Sequence, residues 1–177
     1  LLGLGSARAA LGRYVEAEAP LEEARDLAPD NPAIWYTLGS VYAASGRVDA
    51  ALHALEESCR LDPGDAGAQY DRCLLLAGIE EYGKAARACE LAAEADPKME
   101  GAWVGAGVAH FHSGAYGEAE QAFARAVELA PDNARAVYGF GLSRLYTGDV
   151  DGAVEQYVIL KALDPDLARD LYSRVLD

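Results

Sequence analysis

The side chains able to move a proton, hold a metal or attack a bond are few and scattered in this sequence. The histidines are His53, His110 and His112. His110 and His112 lie two apart in a helical stretch, so they point to different faces and cannot share a metal. The cysteines are Cys59, Cys73 and Cys89. An odd number without a CxxC pair indicates neither a disulfide framework nor a zinc site, and it is compatible with a reducing compartment. The acid pairs Glu22-Glu23, Glu56-Glu57 and Glu80-Glu81 fall on expected outer faces or turns and read as solvated charge. GxxxxGK[ST], GxSxG and HExxH do not occur. No catalytic, cofactor-binding or metal-binding residue is assigned, no cofactor is implied, and no enzymatic activity is expected within this segment. The chemistry on offer is that of recognition.

The elements that would position such recognition repeat at a fixed step. Pro29, Pro63, Pro97, Pro131 and Pro165 are 34 residues apart, as are Ala17, Ala51, Ala85, Ala119 and Ala153. Gly5, Gly39, Gly107 and Gly141 keep the step with Cys73 in the gap. Gly12, Gly46, Gly114 and Gly148 keep it with Glu80 in the gap. A constant period of this size marks a repeat solenoid. The stretch Glu100 to Asn133 is the clearest copy. It reads as a helix over 101–113, a break at Gly114, and a helix over 116–129 stopped by Pro131.

Glycine inside a helix costs about 1 kcal/mol against alanine. Gly39, Gly107 and Gly141 are therefore expected where a partner helix approaches closely, with Ala51, Ala119 and Ala126 as the matching small surface. Leu55, Phe123 and Tyr157 are expected to fill the space between successive pairs. Cys73 and Cys89 stand in the places of Gly39 and Phe123, which predicts buried, inert thiols.

Trp35, Leu38, Gly39 and Tyr42, followed by Ala51, Leu55 and Pro63, resemble the tetratricopeptide repeat. Trp103, Gly107, Ala119, Phe123, Ala126 and Pro131 match it again. The resemblance implies an all-α fold: a right-handed α-solenoid of antiparallel helix pairs. On this frame residues 1–177 are one domain. Its repeats run 1–31 (short at its start), 32–65, 66–99, 100–133 and 134–167, with a capping helix over 168–177. Helices are expected near 2–10, 14–27, 33–45, 48–61, 135–147 and 150–163. Pro20 lies inside the second of these and should bend it or delay its start. Repeat three is the most degenerate, with Gln69 for tryptophan and Arg72 for leucine; the unslipped frame is kept because a slip puts Leu74 in the glycine place. Leu1 falls on the fourth repeat position, which suggests an excised segment of a longer protein. Leu1, Leu2 and Leu4 are then expected to be exposed, with self-association through the array ends as one outcome. His110 takes the family's tyrosine place, where packing is the expected role.

In this family the first helices of successive repeats line a groove that takes peptides or helices. Carried over place by place, one row is Tyr36, Tyr70, Val104 and Tyr138. A second is Ser40, Leu74, Val108 and Leu142, and a third holds Phe111, His112 and Tyr146 with Leu145. Arg135 is the one basic residue in these places, so the family's carboxylate clamp is not formed. Gly3, Thr37, Asp71, Gly105 and Gly139 occupy the places of the asparagine ladder seen in sugar-transferase arrays.

The resemblance thus implies a protein–protein interaction scaffold with an apolar, aromatic groove, anchored at Tyr138, Phe111 and Tyr146. The alternative is a regulatory or substrate-recruiting segment of a larger enzyme. A net charge of −14 is read as solubility of the helix faces, and it suggests a preference for Lys or Arg beside the apolar anchors. The 15 Lys and Arg are scattered, so a nucleic-acid partner is not expected. No apolar run approaches the ~20 residues of a membrane span.

Overall fold

The computed structural model describes residues 1–176, which form eleven α-helices and no strand. Asp177, the last residue of the expected capping helix, lies outside the described residues. Two compact units are present, Leu1–Ile79 and Glu80–Asp177. The first holds α1 (Leu2–Ala10), α2 (Tyr14–Leu27), α3 (Pro32–Ala44), α4 (Val48–Leu61) and α5 (Ala66–Gly78). The second holds α6 (Tyr82–Ala95), α7 (Glu100–His112), α8 (Tyr116–Leu129), α9 (Ala134–Thr147), α10 (Val150–Leu163) and α11 (Pro165–Leu176). Both are stacks of helix pairs, and the degenerate repeat three forms its two helices like the rest.

The periodic residues explain the boundaries. α2, α4, α6 and α8 each stop two residues before a proline of the 34-residue series, since proline disfavours helix at the residue preceding it. The proline carbonyl is then used. The Trp35 indole donates to the Pro29 carbonyl at 2.6 Å, and Trp103 donates to Pro97 at 3.1 Å. Tryptophan and proline are one device that closes the loop between a second helix and the next first helix. Three of the first helices, α3, α5 and α9, start on side-chain caps: Asn31 accepts from the Ala33 amide, Asp65 from Ala68, and Asn133 from Arg135 and Ala136. The turns inside pairs are left-handed at Gly12, Gly46, Gly114 and Gly148, and Glu80 takes the same conformation with φ 64°. Glutamate accepts that backbone at a cost of roughly 1–2 kcal/mol.

The contact at each helical glycine of the 34-residue series is tight, but its filler differs from expectation. In the first unit a Cβ on Gly39 would stand 2.8 Å from Leu55 Cγ, and one on Gly5 2.4 Å from Leu21 Cγ. In the second unit a Cβ on Gly107 would stand 2.8 Å from the Phe123 ring. Phe123 also reaches the following pair, where a Cβ on Gly139 would lie 2.4 Å from its Cζ. The missing side chains therefore make room for bulky leucine and phenylalanine, not for an alanine surface. Repeat five departs again. Leu171 of α11 fills the notch at Gly141, while Tyr157 turns away to stack on Tyr172 at 4.8 Å.

In repeat three Gln69 and Cys73 are buried and Leu74 is half-exposed, the pattern that the unslipped frame leads one to expect. Cys59 is a buried free thiol whose pKa burial raises to about 11. Cys73 and Cys89 are buried as expected, but each is disulfide-bonded, which corrects the expectation of inert thiols.

Two further findings concern prolines. α2 starts at Tyr14 and runs through Pro20. Proline leaves the carbonyl four residues earlier without its amide donor. That carbonyl is Glu16, and the Arg8 guanidinium donates to it at 2.8 Å. α11 begins at Pro165, three residues before the expected start. Asp164 accepts from the amides of Asp166 and Leu167, and a capped proline is well placed at a first helical position. Ala168 and Leu171 are its buried residues, packed in one core with Val137 and Leu160, so α11 caps the pair before it.

Arg8→Ala should lower stability in urea unfolding by about 0.5–1.5 kcal/mol. The loss should vanish in a Pro20→Ala background, where the amide of residue 20 recovers the Glu16 carbonyl. Equal losses in both backgrounds would refute the link.

Candidate partner-binding site

In the first unit the expected groove residues stand on α3 and α5. Tyr36 and Ser40 are half-buried, and the Ser40 hydroxyl donates to the Tyr36 carbonyl at 3.1 Å. Tyr70 is half-buried and Leu74 is 49% exposed. Ser40 and Leu74 line a cleft of about 320 Å³ with Gly39, Leu55 and Leu75. Asp71 lines it too, although it is not among the expected groove residues. Burial raises the pKa of Asp71, and the charge of Asp65 adds to the shift. The Tyr36 hydroxyl acts the other way, favouring the carboxylate.

In the second unit six of the expected residues come together. Val108, Phe111, His112, Arg135, Tyr138 and Leu142 line one cleft of about 350 Å³. Its floor is the Phe123 ring beside Gly139, and its far wall is Leu167 and Arg174 of α11. Arg174 is not among the expected groove residues. The signal that finds it is its spacing of seven from Leu167, two helical turns, which puts both on one face. Val104 and Tyr146 are outside this lining. Val104 is half-buried. Tyr146 packs edge-on against Phe111 at 5.2 Å and lies 4.7 Å from the ring of Tyr116, so it buttresses the cleft from outside.

The wall of this cleft is cationic. Tyr138 donates a short hydrogen bond to Asp170, which also accepts from Arg174 Nε at 2.8 Å. Burial, then the bond to Asp170, pushes the Tyr138 phenol up to about 12. The two partners of Asp170 hold its own carboxyl below the usual range, Arg174 first. This pairing fixes α11 against α9 and leaves the ring of Tyr138 facing the cleft. Arg135 is exposed, with no ion pair among the described residues. No carboxylate is in the lining, so the chain's acidic balance is not expressed here, and the expected preference for Lys or Arg finds no support in this cleft.

A larger hollow of about 530 Å³ lies among α6, α7 and α8 of the same unit, with Glu90, Trp103, His110, Glu118 and Arg125 among its walls. Its charges are mixed and already engaged in part. His110 pairs with Glu90 at 2.9 Å, and Arg125 sits 6.0 Å from the Trp103 ring. His110 therefore packs and pairs in the tyrosine place. His53 sits edge-on to Trp35, and His112 stacks on Tyr82. Of the acid pairs, Glu23, Glu56, Glu80 and Glu81 are exposed, while Glu22 accepts from Tyr42 and Glu56 faces Arg72. Among the described residues no group of three or more His, Cys, Asp or Glu could hold a metal, and no helix is long and apolar enough to cross a membrane.

Asp71 gives a pH signature. Its folded pKa is raised, so the carboxylate weakens the fold above that pKa, and the penalty is gone below the unfolded value of about 3.9. Asp71→Asn should melt higher than the parent at neutral pH, with the gap closing as pH falls toward that value. A gap that widens on acidification would contradict the assignment.

Known proteins agree with this architecture. Sequence models described as tetratricopeptide repeat match residues 8–71 and residues 70–134. No curated protein matches the chain in sequence. Among solved structures, YrrB, described as a TPR protein with an unusual peptide-binding site, superposes with a TM-score of 0.88 at 21% identity, covering 97% of this chain and 90% of its own. MamA AMB-1 superposes with a TM-score of 0.83 at 25% identity, over 92% of this chain and 89% of its own. MamA from Desulfovibrio magneticus RS-1 gives 0.80 at 21% identity, over 93% of each chain. With the repeat's glycine, tryptophan and proline contacts in place in both units, the chain belongs to the tetratricopeptide repeat family.

Proposed function

We propose that this chain is a non-catalytic scaffold that holds a partner peptide or helix on the side chains of its first helices. The observation that carries the reading is the cleft of the second unit, where six residues chosen from repeat position alone line one apolar hollow. Val108, Phe111, Leu142 and Leu167 supply surface for an apolar anchor, and Arg135 stands free at the wall for a polar or acidic neighbour. A hollow of about 350 Å³ is in the range of small ligand pockets and takes one or two large side chains. The peptide-binding site named for YrrB supports peptide recognition as a use of this fold. In the first unit Tyr36, Ser40, Tyr70 and Leu74 are the corresponding contact residues. The repeat division 1–31, 32–65, 66–99, 100–133 and 134–167 belongs to the same reading.

Partners recovered from the native source should lose affinity for Val108→Asp and Phe111→Ala. Val108 is 37% exposed, so the charge disturbs binding more than folding. Truncating a central aromatic anchor typically costs about 2 kcal/mol or more, a loss of roughly thirtyfold. Titration calorimetry with the recovered partner measures it. Unchanged affinity in both variants, together with loss on Trp103→Ala, would move the site to the larger hollow beside Trp103.

A further inference from the structure

The cleft of the first unit differs in charge from that of the second. Its walls are aliphatic: Leu55 lies under Gly39, and Leu74 and Leu75 come from α5. The single ionisable group in the lining is Asp71. Among the described residues no Lys or Arg pairs with it, and the charged neighbour that acts on it is another acid, Asp65. Arg72, next in sequence, is taken up by Glu56 at 3.5 Å. Ser40 is also committed, to the Tyr36 carbonyl. A carboxylate partly withdrawn from water with no cation opposite it is an incomplete ion pair.

We propose that the Asp71 cleft takes the basic side chain of a bound peptide, with its ammonium or guanidinium on Asp71 and its methylene stem along Leu55, Leu74 and Leu75. The shape and charge fit together. A long basic side chain buries an aliphatic stem and presents one cationic head, which is the complement of an apolar cleft about 320 Å³ in volume holding one acid. A free peptide carboxylate is disfavoured at this place, because it would meet Asp71 and Asp65. The proposal rests on the scaffold reading above and adds the chemistry that the first unit selects.

The test is a random peptide library displayed on phage and panned against the full chain and against Asp71→Asn and Leu74→Ser. Recovered peptides should be enriched in Lys or Arg beside an apolar residue. A synthetic recovered peptide should lose about tenfold or more in affinity when its basic residue is replaced by norleucine, and as much when Asp71 becomes Asn. The two losses should not add, since each removes the same pair. Asp71→Asn is isosteric, and its melting point confirms the fold. Peptides that need Leu74 but show no basic enrichment, or that bind Asp71→Asn unchanged, would overturn the assignment of Asp71 and leave the scaffold reading standing. Peptides that bind Leu74→Ser as well as the parent, or a library with no binder, would overturn both.

Discussion

The ring of Phe123 lies over Gly107 of its own helix pair and over Gly139 of the next, and the cleft beside it depends on that contact. Either glycine alone costs its helix about 1 kcal/mol, while burial of a phenylalanine side chain contributes about 1.5–3 kcal/mol. The two glycines together cost about 2 kcal/mol, which is within the range that burial of the one ring offsets. In the first unit the fillers are smaller and each meets one glycine, Leu21 over Gly5 and Leu55 over Gly39. In each unit the residue that locks two helices together also forms the floor of the neighbouring hollow, Leu55 in one and Phe123 in the other. Packing and recognition are therefore two faces of the same side chain.

The helices were legible because their punctuation is periodic. The proline, glycine and tryptophan positions fix boundaries to within a residue for most elements, and the turn at Glu80 could be placed although its residue breaks the pattern. What could not be read was where a side chain finds a partner outside the repeat. Pro20 is tolerated through Arg8, which lies in another helix and in no repeat position of note. Asp164 starts α11 early because two amides converge on it. Cys73 and Cys89 were placed in the right packed positions, yet their bonding does not follow from period or burial. Among the site residues, the six that meet in the second unit follow from repeat position. Arg174 was hidden because it lies in the capping helix and in no repeat row, and Asp71 because it stands at a place of the asparagine ladder.

Charge was the least transferable inference. A net charge of −14 describes the whole surface, whereas binding depends on the few groups within a Debye length of about 8–10 Å. The second-unit cleft carries Arg135 and Arg174 and no carboxylate in its lining, while the first-unit cleft carries Asp71 alone. A single partner preference cannot be assigned from the sum of charges when the local signs are opposite.

The most direct test of the scaffold reading is where a partner perturbs the backbone. In amide chemical-shift mapping of the isotopically labelled chain with a recovered partner, the account predicts the largest changes in the second unit at Val108, Phe111, Leu142 and Leu167. Trp103, Gln121 and Arg125 should be little affected. Changes concentrated on those last three residues, with the first-helix cleft unmoved, would contradict it.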